Sequence, residues 1–281
     1  MNQPLVTVIC LCYNHERFVR EAIESVWQQS YADIQLIIVD DDSLDSSVSV
    51  IRELIIDKPE IIFIANEKNE GSCRSFNLAL ELATGEFIID LAADDVLLQD
   101  RVKIGVECIQ MAGPEYGVQF SDAEIISEDG SHLYFHSEKF PHHTIPQGNI
   151  YKNLIEQYFI CSPTMMFRSE VMQHMKGYDE TLAFEDFDLW IRSSRKFKYC
   201  YSPFALVKRR IVSSSMSNQQ FIKASKQRWS TLVVCKKIKA LNRNDAEEKA
   251  FRHRLGYEFF LSLKMMDVQL AIEFLKLRMQ K

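Results

Sequence analysis

Apolar residues in the first hundred positions fall into short unbroken runs, separated by segments where they recur every three or four places. Leu5-Val-Thr-Val-Ile-Cys-Leu-Cys12 is such a run, rich in β-branched residues, the pattern of a strand buried on both faces of a parallel sheet. After Tyr13-Asn14 the period changes. Phe18, Val19, Ala22, Ile23, Val26 and Trp27 predict an amphipathic helix with Asn14 as its N-cap. The exchange repeats: a strand at Ile34–Val39, a helix carried by Val48, Ile51, Leu54 and Ile55, a strand at Ile61–Ala65, a helix over Cys73–Ala83, and a strand that follows Gly85 and empties onto Asp94-Asp95. The predicted fold is α/β, a doubly wound, mostly parallel, Rossmann-like sheet with right-handed connections. Ligands of such sheets bind beyond the carboxyl ends of the strands. Three polar or acidic clusters fall there: Tyr13-Asn14, Asp40 to Asp42, and Asp94-Asp95.

Past Asp100 the alternation loosens. The pattern predicts a helix over Val102–Met111, a short strand at Gly117–Phe120, a hairpin around Glu128-Asp-Gly130, and a His- and Pro-rich loop over 136–148. A strand at Ser162–Arg168, a helix at Ser169–Lys176 closed by Gly177, and a helix at Phe184–Ser194 follow. From Phe221 onward the chain reads as helix.

Composition adds a division. The 281 residues carry a net charge of -6, yet from Ser215 to the end there are 14 Lys/Arg against 6 Asp/Glu, and 19 against 33 before it. An acidic body over 1–217 followed by a basic helical extension over 218–281 is the domain organisation expected. The extension has two readings. Lys223, Lys226, Arg228, Lys236, Lys237 and Lys239 either lie on an anionic membrane surface or form the solvated face of helices packed on the main domain. The acidic body and the lack of a recognition motif disfavour nucleic acid as a partner. No apolar run approaches the roughly 20 residues of a membrane-spanning helix, and Met1-Asn-Gln-Pro4 has no basic patch, so a cytoplasmic location is expected, peripheral to the inner membrane if the extension binds lipid. The seven cysteines show no C-x-x-C spacing and lie mostly in apolar runs, which predicts reduced core residues.

The acids carry the candidate chemistry. A buried strand ending in paired carboxylates suits a hard divalent cation, which takes oxygen ligands. An acid at a strand end can also accept a hydrogen bond from a nucleobase, although Asp40 to Asp45 would equally cap the next helix. Glu185-Asp186 opens a helix whose apolar side is Phe187, Leu189, Trp190 and Ile191, and an acid so placed can act as a general base. Asp188 and Arg192, four apart, are expected to pair on its surface, and Trp190 is expected chiefly to pack. His136, His142 and His143 share a loop without the frame of a metal site.

In their joint order, Val6-Thr-Val-Ile-Cys-Leu-Cys-Tyr-Asn14, Val39-Asp-Asp-Asp-Ser-Leu-Asp45, Asn69-Glu-Gly71, Gly85-Glu-Phe87, Asp94-Asp95 and Glu185-Asp-Phe-Asp-Leu-Trp-Ile-Arg192 resemble the family 2 glycosyltransferases of GT-A fold, over about residues 4–217. The resemblance implies an inverting enzyme that moves a sugar from a nucleotide-diphosphate donor, a UDP-sugar foremost, to a saccharide or lipid-linked saccharide hydroxyl, in the setting of bacterial surface polysaccharide assembly. It implies Mn²⁺ or Mg²⁺ as cofactor on Asp95, the nucleotide held by Tyr13, Asn14, Asp41, Arg74 and Asp94, the diphosphate by Arg209 and Arg210, Asp186 as base, and Glu185 and Trp190 as acceptor-side or supporting residues. The chain departs from the family at Asp42, where a small residue is usual, at Ala92, where a D-x-D motif has an acid, at Phe76, where the Arg usually stands, and at Ile211-Val212, where relatives often have a His. A nucleotidyltransferase is the rival enzyme, but no Gly-rich loop follows the first strand. A noncatalytic nucleotide-sugar-binding module is the third reading.

Overall fold

The computed structural model describes residues 3–140, 144–212 and 225–280. The predicted alternation is present in β1 (Val6–Cys12), α1 (Val19–Trp27), β2 (Ile34–Asp40), α2 (Ser47–Leu54), β3 (Ile62–Ala65), α3 (Ser72–Leu80) and β4 (Phe87–Ala92). These strands pair in parallel in the order β3-β2-β1-β4. Cys12 stands opposite Asp40, Asp40 opposite Ala65, and Leu11 opposite Ala92. The carboxyl ends of all four strands therefore reach one edge together, which brings the loops after them side by side. Val6, Val8 and Cys10 on one face and Ile9 on the other are all buried, as an unbroken apolar run requires.

Beyond β4 the sheet becomes mixed. Next in the chain come β5 (Val96–Leu97), α4 (Arg101–Ala112), β6 (Tyr116–Ile126), β7 (His132–Phe135), α5 (Tyr151–Glu156), β8 (Met166–Arg168), α6 (Ser169–Met175), α7 (Glu185–Ser193) and β9 (Lys198–Arg210). β8 is antiparallel to both β4 and β6, β6 is parallel to β9, and β5 and β7 pair antiparallel with β9 and β6. Two sequence expectations are corrected here. The strand expected at 117–120 continues to Ile126, because the polar pair that seems to end it is accommodated: Asp122 accepts hydrogen bonds from the Ser137 N–H (2.9 Å) and hydroxyl (2.6 Å), and the register shifts at Ser121–Ala123. The strand expected at Ser162–Arg168 is a 3-10 turn over Ser162–Thr164 and only three residues of strand, since Pro163 has no N–H for a ladder.

Two compact units result, 1–148 with 160–178 and 197–212, and 149–159 with 179–196 and 213–281. The division expected at 217/218 lies outside the described residues, as do Ser213 to Ser217, Lys223, His142 and His143. The second unit gathers α5 and α7 with α8 (Lys226–Leu241), α9 (Asp245–Lys264) and α10 (Val268–Met279). Asn244 and Asp267 cap α9 and α10, each side chain accepting from the N–H three residues on. All seven cysteines are free, six of them buried.

Candidate active site

The loops at the shared edge of the first unit hold one another. Asn14 is not the cap of α1, whose N-cap is Phe18. It sits in the left-handed region (φ 56°), where its N–H donates to the Ser43 hydroxyl (2.8 Å) and its Oδ1 accepts from the Leu44 N–H (2.7 Å). The stitching continues with His15 N–H to Ser47 Oγ (3.0 Å), Glu16 N–H to Asp45 (3.0 Å) and Ser46 N–H to Glu16 (2.7 Å). Asp40, fully buried, accepts from the backbone and hydroxyl of Ser43. The acids at 40 and 45 thus serve the turn, and the exposed Tyr13 ring stands at its start.

Asp42 occupies the left-handed region (φ 64°), the reason a residue without Cβ suits this position. Asp42→Gly is expected to raise stability by about 1 kcal/mol, read as a melting temperature a few degrees higher. An unchanged or lower value would show that the side chain compensates for its backbone.

Asp41 is buried and organises the next loop. Its Oδ1 accepts from Asn66 Nδ2 (2.8 Å), the Glu70 N–H (2.8 Å) and the Ser75 hydroxyl (3.0 Å), and its Oδ2 from the Gly71 N–H (2.8 Å). Gly71 has φ 90°, a conformation that favours glycine. Oδ1 is saturated, so recognition of a base by Asp41 has only the remaining lone pair of Oδ2 to use. Arg74, on the first turn of α3, is exposed and pairs with Glu70 (2.8 Å).

Asp95 lies just past β4 and is 3% exposed, with Oδ1 accepting from the Arg210 N–H (2.8 Å). Burial, then the neighbouring Asp94 charge, pushes its carboxyl well above the usual carboxylate range, against the Arg210 N–H and the Arg209 and Arg210 charges. A buried carboxylate beside a second one is stabilised in its charged form by a cation, so the donor set suits Mn²⁺ or Mg²⁺. Among the described residues no group of three or more His, Cys, Asp or Glu converges to complete a shell. His15, which the motif reading passed over, lies with Nε2 4.0 Å from Asp94 Oδ2.

The Arg210 guanidinium, expected on a diphosphate, is engaged within the protein. Nε donates to the Asp94 carbonyl (2.9 Å), Nη1 to the Glu128 carbonyl (3.2 Å) and Nη2 to Glu21 (2.6 Å), over the Phe18 ring. Arg210 therefore ties the end of β9 to the acid pair and to α1.

In the second unit, Glu185 and Asp186 form the partly buried first turn of α7, a position where acids meet the helix dipole favourably. Trp190 is 2% exposed and packs with Tyr158 and Phe184, so it is a core residue with no ring face for a sugar. Asp188 corrects the expected surface pair: its side chain is fully buried, bound by Arg192 Nε (2.5 Å) and by Lys237 Nζ (2.6 Å), which also reaches Asp179 (2.7 Å). The basic extension likewise spends Arg228 and Arg254 inside, where both face the buried Glu258. Three of its cations are thus absorbed by the helical bundle. The sequence signal was the phase of Arg228 with the buried Leu232 and Cys235.

The sequence matches the family model described as glycosyl transferase family 2 over residues 7–175. An uncharacterized glycosyltransferase of Methanocaldococcus jannaschii is 31% identical over 195 residues, 68% of this chain and 65% of the relative, so the chain spans less than two thirds of that protein. A Bacillus subtilis glycosyltransferase assigned by name to teichuronic acid biosynthesis, TuaG, is 27% identical over 81% of this chain and 86% of its own length. Among solved structures, Staphylococcus aureus TarS 1-349 in complex with UDP-GlcNAc superposes with a TM-score of 0.75 at 18% identity, covering 96% of this chain and 79% of that one. The mannosyltransferase PcManGT of Pyrobaculum calidifontis, in complex with GDP-Man and Mn²⁺, gives 0.70 at 14%, covering 98% and 74%.

Proposed function

The chain belongs to glycosyl transferase family 2, and from that premise we propose that it is an inverting, metal-dependent enzyme that moves a sugar from a nucleotide-diphosphate donor to a saccharide or lipid-linked saccharide hydroxyl. The observation that carries this reading is the buried Asp95 beside Asp94 at the strand edge, where the loops after β1, β2 and β4 meet. UDP is the base-bearing half we favour, and surface polysaccharide assembly at the cytoplasmic face of the membrane is the setting, supported by the name of the TuaG relative.

In this proposal the nucleotide is received by Tyr13, Asn14, the free lone pair of Asp41 and Asp94, with Arg74 and Arg209 assigned to the phosphates. Asp95 would hold the divalent cation, which would supply Lewis-acid stabilisation of the charge on the departing diphosphate. Asp186 takes the proton of the acceptor hydroxyl as its oxygen bonds to the anomeric carbon. The bond from that carbon to the diphosphate oxygen breaks, the electron pair leaves with the nucleotide, and one displacement inverts the configuration. Glu185 supports the acceptor side, while Trp190 acts only through packing.

Nucleoside diphosphate released from a panel of nucleotide sugars, with and without acceptor saccharides, tests the proposal. Release is expected to require Mn²⁺ or Mg²⁺ and to stop with EDTA. Because Ala92 and Val212 supply no ligand, Mn²⁺ is expected to bind weakly in calorimetry when nucleotide is absent. Asp95, raised above its usual range, must give up its proton to serve as a ligand, so apparent Mn²⁺ affinity is expected to rise with pH. Donor binding without turnover on any acceptor would favour a noncatalytic module.

A further inference from the structure

In α10, Leu270, Ala271, Phe274 and Leu277 are buried against the second unit, as one apolar face should be. The helix is apolar on its other side as well. Val268, Ile272, Leu275 and Met279 recur at intervals of four, three and four residues, so they form a single stripe, and they are exposed by between 38% (Leu275) and 75% (Met279). A helix apolar on opposite sides is expected to be covered on both. Here no described residue of the chain covers the second side.

At about 100° per residue, Lys276 and Arg278 fall on the two flanks of that stripe. Arg278 occupies the flank toward α9: its guanidinium lies 3.3 Å from where a Cβ on Gly256 would stand, so the glycine makes room for it. It also lines an open groove of about 550 Å³ on α9, together with His253, Gly256, Tyr257, Phe260, Leu261 and Lys264. Tyr257 and Phe260 are more than half exposed. Arg278 thus both flanks the stripe and lines the groove, which sets cations beside exposed apolar and aromatic residues on both helices. None of the groove's lining residues is an acid. Glu273 of α10 is already paired with Lys276 (2.7 Å).

We propose that the α9–α10 face of the second unit lies on an anionic lipid bilayer, with Tyr257, Phe260 and the α10 stripe in the interfacial layer and Lys264 and Arg278 on lipid phosphates. Charge selects this occupant over a second copy of the chain. In a two-fold contact the same patch meets itself, and this patch offers Lys264 and Arg278 no carboxylate to meet. Long basic side chains flanking an exposed apolar stripe match a helix lying in the plane of a membrane surface, the stems in the apolar layer and the heads among headgroups. The cations expected to do this from sequence alone were largely those of α8; α9 and α10 take their place.

Co-sedimentation of the full chain with vesicles of phosphatidylcholine, pure or mixed with phosphatidylglycerol, tests the proposal. Binding is expected to the mixed vesicles, to fall as salt is raised, and to be weak on pure phosphatidylcholine. Lys264→Ala with Arg278→Ala is expected to weaken it about tenfold or more. Phe260→Ser, and Ile272→Ser with Leu275→Ser, are expected to abolish it while melting temperature and turnover of a soluble acceptor stay at wild-type values, since these side chains are exposed. Absence of binding to either vesicle, or equal binding by wild type and variants, overturns the proposal. So does a dimer in sedimentation equilibrium that the Ile272→Ser/Leu275→Ser variant dissociates, for the face would then be a contact between copies.

Discussion

Asp186→Asn is expected to lower kcat by about 10² to 10⁴-fold, the range for losing a positioned general base, and to leave nucleotide-sugar binding and the melting temperature at wild-type values. The change is nearly isosteric and keeps one acceptor oxygen at the first turn of α7, so the helix start can still form. What it removes is a basic site that can take up the acceptor's proton. Because the nucleotide is assigned to residues of the first unit, donor affinity by calorimetry separates loss of chemistry from loss of binding. Glu185→Gln, on the same turn, is expected to change turnover far less. A fully active Asp186→Asn protein would remove the assigned base. If Glu185→Gln were inactive in its place, the role would pass one residue back along the same turn.

The first half of the fold was readable because buried parallel strands write themselves as unbroken apolar runs, and such runs have visible ends. Leu5 to Cys12 and the run before Asp94 mark their own termini, and parallel topology alone brings those termini to one edge. Asp41, Asp94 and Asp95 could therefore be singled out before any coordinate. Their partners could not. Asn66, Glu70, Gly71 and Ser75 converge on Asp41 only because the chain returns through β3 and a glycine at φ 90°, a path no periodicity records. The long β6 was hidden by Ser121-Asp122, polar residues satisfied by a bulge and a distant serine.

Charged side chains were read least well, since a lysine on a helix looks the same in sequence whether it meets water or a carboxylate. Lys237 and Arg228 were assigned to a charged surface and face buried acids; the Arg210 guanidinium, expected on a ligand, meets the Asp94 and Glu128 carbonyls and Glu21. In each case the missing information is the identity of the acid or carbonyl opposite, which is a property of tertiary structure. The exposed stripe of α10 is the converse, apolar residues that periodicity would have placed in a core.

Lys237→Met is expected to destabilise the protein by about 3 kcal/mol, to be read by denaturant unfolding, because it leaves the fully buried Asp188 without one of its two cations. The methionine preserves the apolar stem of the lysine, so the loss reports the charge. Arg192 remains on the other oxygen, which keeps the cost at the low end for a broken buried pair. Asp188→Asn in the same background should recover part of the loss, since the orphaned charge is gone; additive effects of the two changes would mean the pair is not coupled. Acid unfolding supplies an independent reading through Asp179. Burial pushes its carboxyl up, but hydrogen bonds from Lys237 and then Thr181 outweigh that and hold it at about 2, against an ordinary 3.8. A carboxylate depressed in the folded state contributes stability that is complete above its unfolded value and lost as pH falls through the folded one, here from about 4 to about 2. Without Lys237 that acid limb flattens. Asp188 lies two residues beyond Asp186 on α7, so the same lysine fixes the helix that presents the proposed base. Turnover should therefore fall in Lys237→Met even at temperatures where the protein remains folded, and Lys237→Arg, which restores a cation, should recover most of it.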